Sequence, residues 1–179
     1  MRNSVSSRAS AASRGISFAL ALLVAACAQQ QSTTPPPPVP SATDTAIVVQ
    51  TAPRVIFPDG FAVQVEVAAD DPTREQGLMF RDRMAEDRGM IFLFPASGVY
   101  PFWMKNTIIP LDMIWIDDAR RVAHVAQDVP PCKADPCPSY PPNAQARYVL
   151  EVAAGVAAKH HLKDGDTLRF EGMEHVIVR

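Results

Sequence analysis

Phe61-Ala-Val-Gln-Val-Glu-Val67 decides the fold class of this chain. Phe61, Val63, Val65 and Val67 alternate with Ala62, Gln64 and Glu66. That period of two gives a strand with one buried and one wet face. Arg54-Val-Ile-Phe57 lies just upstream across Pro58-Asp59-Gly60, so the two runs read as a hairpin. Working outward, Asp71-Pro72 starts a short helix, with Asp71 as cap and Pro72 in the first turn, and Gly77 near its end. Gly89-Met-Ile-Phe-Leu-Phe94 is a continuous apolar run, closed by Pro95, and predicts a fully buried strand. Pro101–Asn106, Leu111–Asp117, Arg121–Val129 and Arg147–Val152 predict further strands. Ala153–Leu162 predicts a second short helix, and Thr167–Phe170 and Val176–Val178 close the chain as strands. Short strands at close spacing with two short helices predict a mainly β domain. A compact β-sandwich or flattened barrel fits this pattern, rather than βαβ units.

The chain has 179 residues, 47% of them hydrophobic and 20% charged, which suits one packed domain with some length to spare. Eleven of the seventeen prolines fall in two clusters, at 35–40 and 130–142, and three cysteines are too few for a disulfide-built scaffold. The formal charge of −2 leaves no basic surplus, so no nucleic-acid partner is expected.

The first residues read as an address. Arg2, Arg8 and Arg14 precede the apolar run Ile16–Ala26, with no acidic residue before Asp44. The run is shorter than the ~20 residues a permanent membrane helix needs, and basic start plus short apolar run is the secretory pattern. Val24-Ala25-Ala26-Cys27 resembles a bacterial lipoprotein signal, which implies cleavage of residues 1–26 and lipidation of Cys27. Simple cleavage with a free Cys27 is the alternative. Ala28 after the cysteine implies sorting to the periplasmic side of the outer membrane, with the protein exported and lipid-anchored. Removing three Arg from 17 basic residues leaves 14 against 19 acidic, a net charge of −5. Residues 27–53, with Pro35–Pro38 and Pro40, predict a Pro-rich disordered tether, and 54–179 a single globular domain.

Six segments occur in order: Arg74-Glu-Gln-Gly-Leu-Met-Phe-Arg81, Gly89-Met-Ile-Phe92, Phe102-Trp-Met-Lys-Asn-Thr107, Pro110-Leu-Asp-Met113, Cys137-Pro-Ser-Tyr140 and Tyr148-Val-Leu-Glu-Val-Ala-Ala-Gly155. Together they resemble the family known as domain of unknown function 192, small bacterial and archaeal proteins that are often exported or membrane-anchored. The resemblance covers about Val55 to Gly172. It implies a compact, mainly β fold. It brings no established activity and no catalytic residue.

Candidate chemistry then comes from the residues themselves. Cys132 and Cys137 predict a structural disulfide that stiffens the Pro-rich segment Val129–Asn143. Closing so short a loop stabilises by about 2 kcal/mol on the chain-entropy model. A redox pair is the alternative, though such sites use two intervening residues. Arg74 and Arg81 share a helix face if the helix continues, and two guanidinium groups there suit a carboxylate or phosphate. Pairing with the domain's own acids is the simpler fate. Trp103 and Lys105, on one side of a strand, form a possible pocket wall with a charge at its lip; Asn106 takes the other side. Asp112 could meet Lys105 or Asn106, or tie the neighbouring loop. Glu151 stands in an apolar strand, where it either points outward or is buried with a raised pKa as a general base. His124, His160, His161 and His175 lack chelating spacing, and the methionines read as core, so no metal and no cofactor are expected.

The resulting expectation is an envelope lipoprotein whose β domain binds a small acidic ligand or an envelope protein. Arg74, Arg81 and Lys105 would contact the acidic group, with Trp103 and Tyr140 as apolar walls. The alternatives are an envelope hydrolase using Glu151 or Asp112 as base, or a purely structural envelope protein. Enzymatic activity is left open, with the balance against it.

Overall fold

The computed structural model describes residues 51–179. The expected leader and Cys27 lie outside the described residues, as does the tether up to residue 50. Its last residues, 51–53, already join the domain, since the Pro53 carbonyl accepts from the Val65 N–H at 3.0 Å.

Nine strands and two helices follow one another: β1 (Arg54–Ile56), β2 (Ala62–Ala68), α1 (Asp71–Gln76), β3 (Arg88–Gly98), β4 (Phe102–Trp103), β5 (Leu111–Ile116), β6 (Val122–Val129), β7 (Ser139–Tyr140), β8 (Ala146–Ala153), α2 (Val156–Lys159) and β9 (Arg169–Glu171). Seven strands form one sheet in the order β6-β5-β8-β3-β2-β1-β9, and β4 and β7 form a separate two-stranded ribbon. The sheet curls into a half-barrel. Near one end its outer strands are bridged by the Arg121–Thr167 pair and by the Val122 N–H donating to the Asp166 carbonyl at 2.8 Å.

The expectation of a mainly β domain, sandwich or flattened barrel, therefore holds in the form of a curled half-barrel sheet, with one departure. β2 and β3 pair in parallel, Gln64 opposite Arg88 through Ala68 opposite Phe92, so β2-α1-β3 is a βαβ unit after all. The crossover is short because α1 has only 6 residues. β3 also runs past Pro95 instead of stopping there. Its pairing with β8 is irregular between Leu93 and Gly98, and β2 reaches only to Phe92, so the missing N–H of Pro95 breaks no ladder bond.

Several boundaries move for local reasons. The cap of α1 is Asp70 rather than Asp71. Asp70 Oδ1 accepts from the Thr73 N–H at 2.9 Å, while its own N–H donates to Thr73 Oγ1 at 3.3 Å, a capping box. Gly77, at φ 46°, ends the helix. An added Cβ there would meet the Phe92 ring at 3.4 Å, so the chain turns against that ring. The strand expected over Pro101–Asn106 shrinks to two residues, and the helix over Ala153–Leu162 to four. Val176–Val178 is not a strand.

The two faces of the sheet carry separate apolar layers. Val63, Ile91, Ile114 and Leu150 belong to the concave layer, joined by Val156 and Ala157 of α2 and by Leu162. Phe92, Met113, Trp115 and Val149 belong to the outer layer, covered by Leu78, Met104, Phe102 and Tyr140. All six residues of β5 are buried, because both of its faces are covered.

Candidate functional site

β8 lies between β3 and β5, and Glu151 on it faces Met90 on one side and Met113 on the other. Its side chain shares the outer face with Val149, two positions away, whereas Leu150 and Val152 turn into the concave core. The outward, solvated orientation weighed from sequence is not what the fold gives. With the outer face covered as well, Glu151 is only 4% exposed. Its carboxyl has no hydrogen-bond partner among the described residues, and burial pushes its pKa up to about 8. At neutral pH it is therefore mostly the neutral acid.

Glu151 lines a cleft of about 280 Å3 between α1 and the segment that carries β4. The walls are aromatic. Phe92 and Phe102 meet edge to face at 4.9 Å, and Phe94 stacks on Tyr100 at 3.7 Å. Trp103, 52% exposed, stands at the mouth. Lys105 Nζ lies 5.2 Å from the centre of the Trp103 ring and has no ion-pair partner among the described residues. Trp103 and Lys105, expected as neighbours from sequence, thus stand together at the cleft.

Arg74 also lines the cleft, but its guanidinium is committed. Nη1 donates to the Leu93 carbonyl at 2.8 Å, and Nη2 binds Asp71 at 2.6 Å and the main-chain oxygen of Arg179. Arg81 is elsewhere, because the helix stops at Gln76 and the two arginines share no helix face. Arg81 forms a two-pronged pair with Glu66, at 2.7 and 2.9 Å. Asn106 is exposed, with its backbone at φ 55°, and holds the Phe80 N–H through its carbonyl at 2.8 Å. Tyr140 pairs with Phe102 across the ribbon and backs the wall without lining the cleft.

Asp112 is fully buried on the opposite face, away from Lys105 and Asn106. Oδ1 accepts from the Asp128 N–H at 2.9 Å and Oδ2 from the Ala157 N–H at 2.8 Å. Both oxygens hold backbone, so Asp112 is a brace and not a base. Cys132 and Cys137 are bonded, with Cα atoms 5.6 Å apart, in the loop that leads into β7. Among the described residues no three His, Cys, Asp or Glu side chains gather as a metal site requires.

Phe92, Phe94, Tyr100 and Phe102 were not singled out from sequence. Phe92, Phe94 and Phe102 fall there within expected strands and Tyr100 between them, and Phe92 is indeed buried. Their only signal is the density of aromatic rings between residues 92 and 103.

The family model of domain of unknown function 192, DUF192, described as an uncharacterised ACR, matches residues 54–170. The chain belongs to the DUF192 family. The match spans both the cleft and the brace of this DUF192 domain. No curated protein matches it. A crystal structure of a protein of unknown function from Novosphingobium aromaticivorans is similar at 33% identity and a TM-score of 0.59, covering 65% of this chain and 82% of that one. A second, from Sinorhizobium meliloti and described as a candidate transcription regulator, has 36% identity and a TM-score of 0.58, covering 67% of this chain and 92% of that one. DUF192 thus fixes family and fold, and carries no activity with it.

Proposed function

We propose that this DUF192 domain is a binding module of the cell envelope, tethered by a lipid on Cys27, whose ligand enters the aromatic-walled cleft and reaches Glu151. The observation that carries this reading is the carboxyl itself. A buried polar group without a partner is costly, and a concave apolar site with one such group at its base is what ligand pockets look like. The cleft makes a purely structural role the weaker alternative. A hydrolase with Glu151 as base is not favoured, because burial keeps that carboxyl protonated at neutral pH. Among the described residues no histidine, serine or cysteine lines the cleft beside it.

The envelope part of the reading rests on the basic leader, the apolar run and Cys27, and the Cys132–Cys137 bond suits an oxidising compartment. The description of the Sinorhizobium protein as a regulator finds no support in the charge of this chain, with 17 basic against 19 acidic residues.

Native mass spectrometry of the chain purified from an envelope fraction tests the binding role. A retained adduct that disappears in Trp103→Ala is expected; a bare mass in both proteins counts against it. Cys27→Ser should move the chain from the membrane to the soluble fraction, and an unchanged distribution would remove the lipid anchor.

A further inference from the structure

The charges around the cleft are unevenly committed. Asp71 and Arg74 of α1 satisfy each other, and Arg74 also binds the Leu93 carbonyl and the main-chain oxygen of Arg179. Lys105 rests over Trp103 at the mouth. Glu75 is exposed on α1, and the Tyr100 hydroxyl donates to the Ala96 carbonyl at 2.7 Å. Across the strands, Met90 and Met113 flank Glu151 and carry no charge. Glu151 is therefore the one ionisable group in the depth of the cleft without a partner among the described residues, and the rings beside it are aromatic.

We propose that the cleft takes an organic cation, an ammonium or guanidinium on an aryl or alkyl stem, whose charged end meets the Glu151 carboxylate while the stem packs against Phe92, Phe102 and Trp103. This rests on the reading of the cleft as the binding site, and it departs from the acidic ligand expected from sequence. That expectation needed three free cations, and Arg74 and Arg81 are bound internally. An anion would find only Lys105. A neutral apolar ligand would seal the carboxyl under it unpaired. A cation gains both a buried ion pair and the negative faces of the rings.

The proton balance gives a signature. The free domain holds Glu151 as the acid; the bound cation requires the carboxylate, so the O–H bond breaks and the proton passes to the buffer. Affinity then rises with pH, by up to about tenfold per unit between about pH 6 and 8, and levels off above. An anion held by the neutral acid would show the opposite trend.

The test is calorimetric titration of the full chain with two probes sharing one aryl body, 2-phenylethylamine and 3-phenylpropionate. Each is run in two buffers of different ionisation enthalpy to count protons. The expected result is binding of the amine, release of up to one proton near neutral pH, and tightening as pH rises. In Glu151→Gln, amine affinity should fall about tenfold or more and proton release should vanish. Lys105→Met should bind the amine as well as or better than the native chain. Binding of the propionate alone overturns the cation, and amine binding without proton release overturns its pairing with Glu151; both leave the cleft as a binding site. Binding of neither probe overturns both. If Glu151→Gln fails to fold, the proton count on the native chain decides alone.

Discussion

Asp112 on β5 accepts the backbone N–H of Ala157, at the start of α2, at 2.8 Å. The helix has Gly155 at its cap position, which offers no side chain, so a strand 45 residues upstream does the capping. The other oxygen of Asp112 fixes the Asp128 N–H, where β6 bends through φ 50°. Asp112→Ala leaves two backbone donors unsatisfied. Destabilisation of about 2–4 kcal/mol is expected. It should be read as a lower urea midpoint at unchanged slope. Asp112→Asn keeps one acceptor and should lose about half as much.

Stability should fall as pH rises above the acid range. The folded carboxyl of Glu151 titrates at about 8, against an ordinary value of 4.5. The unfolded chain gives up this proton first, so its ionisation pulls the equilibrium toward unfolding, at up to about 1.4 kcal/mol per pH unit between those two values. Glu151→Gln should flatten that slope and be the more stable protein near pH 8. Asp59 and Asp70 act in the opposite sense. The Phe61 N–H and then His160 hold Asp59 below its usual range, and the Thr73 side chain and N–H hold Asp70 there. Their contribution is present above the ordinary carboxylate range and is lost as pH falls through their lowered values. Denaturation midpoints across the acid-to-neutral range check both arms.

Gly89 should tolerate no side chain. A Cβ built there lies 2.5 Å from the Glu151 carbonyl oxygen, a backbone atom held in the ladder between β3 and β8. Gly89→Ala must push two central strands apart, at an expected cost of about 1–3 kcal/mol. Because the strand carries Glu151, the pH slope just described should change with it. Thermal melts at two pH values check this.

Reducing the Cys132–Cys137 bond should cost about 2 kcal/mol on the chain-entropy model. The loop leads into β7, which pairs with β4, so the loss should be accompanied by a change in the emission of Trp103. A melt under reducing conditions with no shift in temperature or emission would show that the loop is held by its packing alone.

What the sequence made legible followed period and punctuation. The alternation of Phe61–Val67 gave β2 and its hairpin, and Asp-Pro before Gly77 gave α1. Trp103 and Lys105 were visible as neighbours on one face, and they meet at the mouth of the cleft. The parallel pairing of β2 with β3 was hidden because strand partners leave no local trace; the continuous run Met90–Phe94 said only that both faces are covered. Glu151 was hidden for the same reason. Alternation tells which residues share a face, and not whether that face is roofed. Arg74 and Arg81 share no helix face because α1 ends at Gln76, where Gly77 gives the chain freedom to turn, and each pairs with an acid of the domain, the simpler fate weighed for them.

The order of strands bears on when this domain can form. β8 is the eighth strand made, yet it fills the middle of the sheet between β3 and β5. A nascent chain that ends before residue 146 has the flanking strands but not the one that joins them. Folding must wait for most of the chain, and long-range closures of this kind are slow. If the chain is exported as proposed, the same order means that β8, the strand that joins the two halves of the sheet, is among the last segments to become available.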